Sequence, residues 1–149
     1  MQRYLSEPLR LPSAELPSFA SAYLEFEGVE KRGASFVLQV FVGNSEAAEN
    51  TPRDITHGFA GTLPVFGHGE CWGDVGHCDV PQGPQDAFDQ RTPHALLPVN
   101  LTLEITDALR FLGAIEEVVV SVLAYEADPE ADERDQILRF SQLTLVTYD

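Results

Sequence analysis

Between Phe66 and Pro81 the chain reads FGHGECWGDVGHCDVP, a stretch that holds both cysteines, the sole tryptophan and two of the four histidines. His68, Cys71, His77 and Cys78 bring two thiols and two imidazoles close together along the backbone. Thiolate sulfur and neutral imidazole nitrogen are the donors that zinc and copper prefer, whereas calcium and magnesium take oxygen. Gly67, Gly69, Gly73 and Gly76 let the backbone bend so that these donors can converge on one ion. His94, in RTPHALLP, is a further donor in reserve. The expected cofactor is therefore a transition metal ion, copper or zinc, held by His68, Cys71, His77 and Cys78 with His94 as an additional ligand.

Other readings of the same residues stay open. The spacing is not that of a standard zinc finger, and His77 and Cys78 are neighbours whose side chains diverge wherever the backbone is extended. A Cys71–Cys78 disulfide would close a short loop and contribute about 2–3 kcal/mol on a chain-entropy argument. Alternatively the two thiols are simply buried, and the histidines bond backbone carbonyls. Trp72 either covers a ligand or fills a gap under the loop. Asp74, Asp79 and Asp89 either orient imidazoles or form turns.

Composition narrows the partners. The chain has 149 residues, enough for one domain with a single core. It carries 24 acidic against 9 basic residues, a net charge of −15, and no basic stripe, so phosphate backbones and anionic membranes are repelled. No apolar run reaches the ~18 residues of a spanning helix. At the start, MQRYLSEPLRLPSAELPSF is interrupted by Glu7, Pro8, Arg10 and Pro12, unlike a secretion signal. A cytoplasmic setting is expected, where free thiols or metal ligands are commoner than disulfides.

The elements that must position the loop are strands. Residues 1–21, with Pro8, Pro12 and Pro17, read as an extended Pro-rich N-terminal arm, and 22–149 as a single β-sandwich domain. AYLEFEGV (22–29) alternates Leu24 and Phe26 against Tyr23, Glu25 and Glu27, a strand with one wet face. SFVLQVFVG (35–43) is apolar on both faces and is expected to be central. GFAGTLPVF (58–66) is a strand whose Pro64 marks an edge or an irregularity. Gly67 to Pro98 has no sustained period and forms a long irregular loop, of the kind that is usually functional. VNLTLEIT (99–106) alternates again, and TDALRFLG is a short helix with Thr106 as N-cap and Gly113 as stop. EVVVSVLAYEA (117–127) is a buried strand, Asp128–Asp135 a charged turn, and QILRFSQLTLVTY (136–148) the closing strand. The fold class is all-β, an antiparallel β-sandwich of Greek-key or jelly-roll type with one short helix and a long irregular loop.

FEGVEKRGASFVLQVFVG, GFAGTLPVFGHGECWGDVGHCDVP, FDQRTPHALLPVNLTLEITDALRFLG and VVVSVLAYEAD lie within about residues 24–127. Together they resemble the β-sandwich domain that follows the catalytic domain in tyrosinase and polyphenol-oxidase type copper enzymes. The resemblance implies a sandwich that shields or accompanies a type-3 copper centre. The catalytic part of those enzymes is a helical bundle that supplies six histidines to two coppers, and this chain has 4 histidines and no such bundle. No residue reaching into a copper pocket is assigned by motif. The expected function is that of a non-catalytic, metal-binding accessory to a tyrosinase-like copper oxidase or another protein partner. Two alternatives use the same loop. One is a small enzyme that works through a metal-bound water or a thiolate activated by a neighbouring histidine. The other is a disulfide-stapled interaction module whose N-terminal arm binds a partner or packs at the edge of a homodimer.

Overall fold

The computed structural model describes residues 1–11, 19–31, 33–68, 87–88, 97–126 and 136–149. Its elements in chain order are β1 (Gln2–Leu5), β2 (Leu9–Arg10), β3 (Ser21–Val29), β4 (Phe36–Val42), a 3-10 turn (Ile55–His57), β5 (Phe59–Val65), β6 (Val99–Glu104), α1 (Thr106–Leu112), β7 (Glu117–Val118), β8 (Val120–Glu126) and β9 (Gln142–Tyr148). One antiparallel sheet has the order β1-β8-β4-β5, and a second has the order β6-β3-β9. β2 and β7 form a short antiparallel pair. The result is the antiparallel β-sandwich with one short α-helix that the alternating strands predict.

Each sheet turns its apolar positions toward the other. On β3, Ala22, Leu24 and Phe26 are fully buried while Tyr23, Glu25 and Glu27 take the opposite face. From β4 come Phe36, Leu38, Val40 and Val42, and from β8 Val120, Val122 and Ala124, all in one core. β4 lies between β8 and β5, as its two apolar faces require. Its other face carries Phe41, which packs with Leu123 and Ala47 under the segment 44–54. Arg53 fastens that segment: Nη2 donates to Gln39 Oε1 at 2.7 Å and to the Tyr125 hydroxyl at 3.3 Å, and Nη1 donates to the Glu49 carbonyl at 2.6 Å. Pro64 sits in β5, at the edge of its sheet, where a missing N–H is tolerated.

Several boundaries differ from the periodic reading. Residues 2–5 pair with β8, with Gln2 opposite Ala124, so this part of the arm is an edge strand. Gln2 Oε1 also accepts the N–H groups of Ile137 and Leu138, at 2.7 and 2.9 Å. The closing strand begins at Gln142 instead of at Gln136. The strand expected over 117–127 is split at Val119, whose carbonyl accepts the Gly43 N–H at 2.8 Å. Thr106 is not the N-cap of α1. It is the first helical residue, and Ile105 stands at the cap position. The buried Thr106 hydroxyl accepts the Ala22 N–H and donates to Glu104 Oε1, both at 3.0 Å, so it fixes the helix to β3 and cannot serve its own first turn. Gly113 ends the helix at φ 78°, as expected. The charged turn Asp128–Asp135 lies outside the described residues.

Candidate functional site

The segment that carries the expected metal donors begins at the end of β5. Val65 is buried and pairs with Phe36, and Phe66 points into solvent at 81% exposure. The next two residues are tied to the β3–β4 turn: the Gly67 N–H donates to Ser35 Oγ at 3.1 Å and the His68 N–H to the Lys31 carbonyl at 3.0 Å. A Cβ at Gly67 would stand 2.2 Å from the Gly33 carbonyl oxygen and 2.4 Å from that of Ala34. Gly67 is thus required here by close backbone approach, and it sets where His68 begins the loop. The His68 Nδ1 atom is buried.

Of the five expected ligands, His68 alone is among the described residues. Cys71, His77, Cys78 and His94 lie outside them, as do Trp72, Asp74, Asp79 and Asp89. Among the described residues no three His, Cys, Asp or Glu side chains are gathered as a metal site requires. No helix among them is long and apolar enough to cross a membrane.

His57, the histidine nearest the strands, has a local task. Asp54 caps the 3-10 turn, accepting the Thr56 hydroxyl at 2.6 Å and the His57 backbone N–H at 3.1 Å, while His57 Nδ1 lies 2.7 Å from the same Oδ1. The Thr56 hydroxyl first, and His57 second, hold the Asp54 carboxyl down at about 2. A carboxyl lowered on folding supports the turn above its unfolded value of 3.8, and that support is lost as pH falls toward 2. The side-chain carboxyl carbon of Asp54 should therefore titrate with a midpoint near 2 in an NMR titration. Thr56→Val should raise that midpoint, and an unmoved midpoint would remove the hydroxyl as the leading cause.

Two grooves were not foreseen from the sequence. One, of about 390 Å³, runs between Ile55 and Phe59 on one side and Glu104 and Asp107 on the other. The second, of about 380 Å³, crosses the outer face of the β6-β3-β9 sheet along Tyr23, Glu25, Thr102 and Tyr148. In the sequence Tyr23, Glu25 and Thr102 are simply the wet half of an alternation, and only the pairing of strands far apart in the chain brings them together.

No family model matches the chain, and no curated protein matches it in sequence. Solved structures do match its fold. A latent aurone synthase (polyphenol oxidase) from a natural source superposes with a TM-score of 0.59 at 13% identity, covering 99% of this chain and 24% of that one. The recombinantly expressed latent enzyme gives a TM-score of 0.60 at 12% identity with the same coverage. At such identities the likeness is one of fold, and the chain spans about a quarter of the length of the structures it matches. The sandwich described here, with its helix, is thus the fold of one part of a latent polyphenol oxidase, in accord with the resemblance read from the sequence.

Proposed function

We propose that this chain is a non-catalytic β-sandwich accessory to a tyrosinase-like copper oxidase, and that its Gly67–Pro81 loop binds one copper or zinc ion. The observation that carries the accessory reading is the coverage: nearly all of this chain corresponds to a quarter of a latent oxidase. The rest of such an oxidase has no counterpart here. In this reading the chain acts by occupying a surface of the catalytic part, which requires no reacting group of its own.

The metal reading rests on the donor set. Two thiols and two imidazoles at Cys71, Cys78, His68 and His77, with His94 as a further donor, suit zinc or copper(I) in a tetrahedral arrangement. His68 enters the loop from a fixed backbone position, since Gly67 has no room to shift against Gly33 and Ala34. One ordered donor lowers the entropy cost of gathering the others.

The two parts are tested separately. Elemental analysis after purification without chelator should find about one equivalent of metal in the wild type and a small fraction of it in Cys71→Ser/His77→Ala. Less than a tenth of an equivalent in the wild type would end the metal reading. For the accessory reading, a tyrosinase-type oxidase lacking its own sandwich should lose activity when this chain is added in excess. Unchanged activity together with no co-elution on gel filtration would end that reading and leave the metal one standing.

A further inference from the structure

The two sheets differ in what covers their outer faces. Over β4 and β8 the chain supplies its own roof: segment 44–54 buries Phe41, Ala47 and Leu123, and Arg53 spans Gln39 and the Tyr125 hydroxyl. Over β6, β3 and β9 no segment among the described residues does the same. The outward positions there fall into cross-strand rows, with Glu104, Tyr23 and Val146 in one and Thr102, Glu25 and Thr144 in the next. Tyr23 and Tyr148 meet edge to face with ring centroids 5.7 Å apart, and Tyr148 is 53% exposed. Glu104, which lines the groove beside α1, is opposite Tyr23 in the sheet, and Tyr23 lines the groove along this face. Neither groove is lined by a lysine or arginine among the described residues.

We infer that this sheet face, with Glu25 and Glu104 flanking the Tyr23–Tyr148 pair, is a docking surface for a partner protein segment that presents arginine. The charge of the face selects the occupant. Carboxylates on a chain of net charge −15 repel nucleic acid and anionic lipid and attract cationic side chains. The tyrosines refine the choice, because a planar guanidinium stacks on a phenol ring while its N–H groups reach a carboxylate, and a lysine ammonium does this less well. The chain's own Arg53 makes the comparable bridge on the opposite sheet, between a side-chain oxygen and a tyrosine hydroxyl. The groove beside α1 at the Glu104 end of its cross-strand row, and the groove along the face itself, give a bound segment room for its neighbouring side chains. This surface stands whether or not the loop binds metal.

The test is fluorescence anisotropy of the full chain with labelled nona-arginine and nona-lysine peptides at matched ionic strength. Glu25→Gln/Glu104→Gln retains the acceptor for the Thr106 hydroxyl, removes two charges from the face, and should weaken nona-arginine binding roughly fivefold. Glu46→Gln/Glu49→Gln removes two exposed charges from the roof of the other sheet and should change binding less than about twofold. Tyr148→Lys, at a position 53% exposed, should weaken it as much as the double variant. Wild-type affinity should be higher for nona-arginine than for nona-lysine. Equal weakening by the two double variants, equal affinity for the two peptides, or no binding by the wild type each overturns the assignment.

Discussion

Replacing Phe26 with alanine should cost about 3–5 kcal/mol, among the largest losses expected from a single side chain of the described core. Phe26 lies in β3, the middle strand of its sheet, opposite Leu101 of β6 and Leu143 of β9, and it is fully buried. Its ring meets that of Phe140 edge to face at 5.7 Å, and Phe140 meets Tyr4 of β1 in the same manner at 4.9 Å. The three rings run from the centre of one sheet to the edge strand of the other, so the substitution leaves a cavity and loosens the attachment of the N-terminal strand. Urea unfolding should show the lowered midpoint, and hydrogen exchange should show reduced protection at Tyr4 before the centre of β8. Phe66→Ala is the control: that ring is 81% exposed, and its loss should change stability by less than about 0.5 kcal/mol. Equal effects at the two positions would contradict the burial on which the sandwich depends.

Gly67→Ala is the second large expected effect, and it acts through the backbone. The new methyl would lie 2.2 Å from the Gly33 oxygen, 2.4 Å from the Ala34 oxygen and 2.5 Å from the Ala34 carbonyl carbon. Backbone atoms do not yield as the tip of a flexible side chain does. The loop entrance must move away, which breaks the Gly67 N–H bond to Ser35 Oγ and the His68 N–H bond to the Lys31 carbonyl. A loss of about 1–3 kcal/mol is expected. Ser35→Ala removes one of the two bonds without a clash and should cost only about 1 kcal/mol. Thermal unfolding of both variants, with the exchange rate of the His68 amide, distinguishes displacement of the entrance from a lost hydrogen bond. If Gly67→Ala proves no worse than Ser35→Ala, the entrance is not clamped against the β3–β4 turn. Under the proposed metal reading, Gly67→Ala should also lower metal occupancy, because it displaces the backbone of His68.

Much of the sandwich is legible in local pattern. The alternation at 22–29 and 99–106 correctly divides core from surface, and the doubly apolar run at 35–43 marks the strand that lies between two neighbours. Pro64 marks an edge. The N-terminal strand is harder to read, because Pro8 and Pro12 suggest an irregular arm and only four residues, 2–5, enter the sheet. Its place is set by β8 and by Gln2 reaching the Ile137 and Leu138 amides, contacts more than a hundred positions away in the chain. The same holds for Thr106, whose residue type says cap and whose burial against β3 says otherwise. Of the candidate ligands, the sequence names five, while the described structure speaks only to the backbone position of His68.

Side-chain alternation over a few residues determined, without any structure, that this chain is all-β, where its main strands lie and which of their faces are apolar. It could do so because the pleat makes every second residue share a face, a property of the local backbone. The residue types alone also determined which donors and which metals are compatible with the long loop. Strand order, the break at Val119, the closed space at Gly67 and the gathering of Tyr23, Tyr148, Glu25 and Glu104 on one sheet face were decided only by the tertiary structure. Each depends on which distant segments come into contact, and that is settled by the joint packing of both sheets, to which no single stretch of sequence has access.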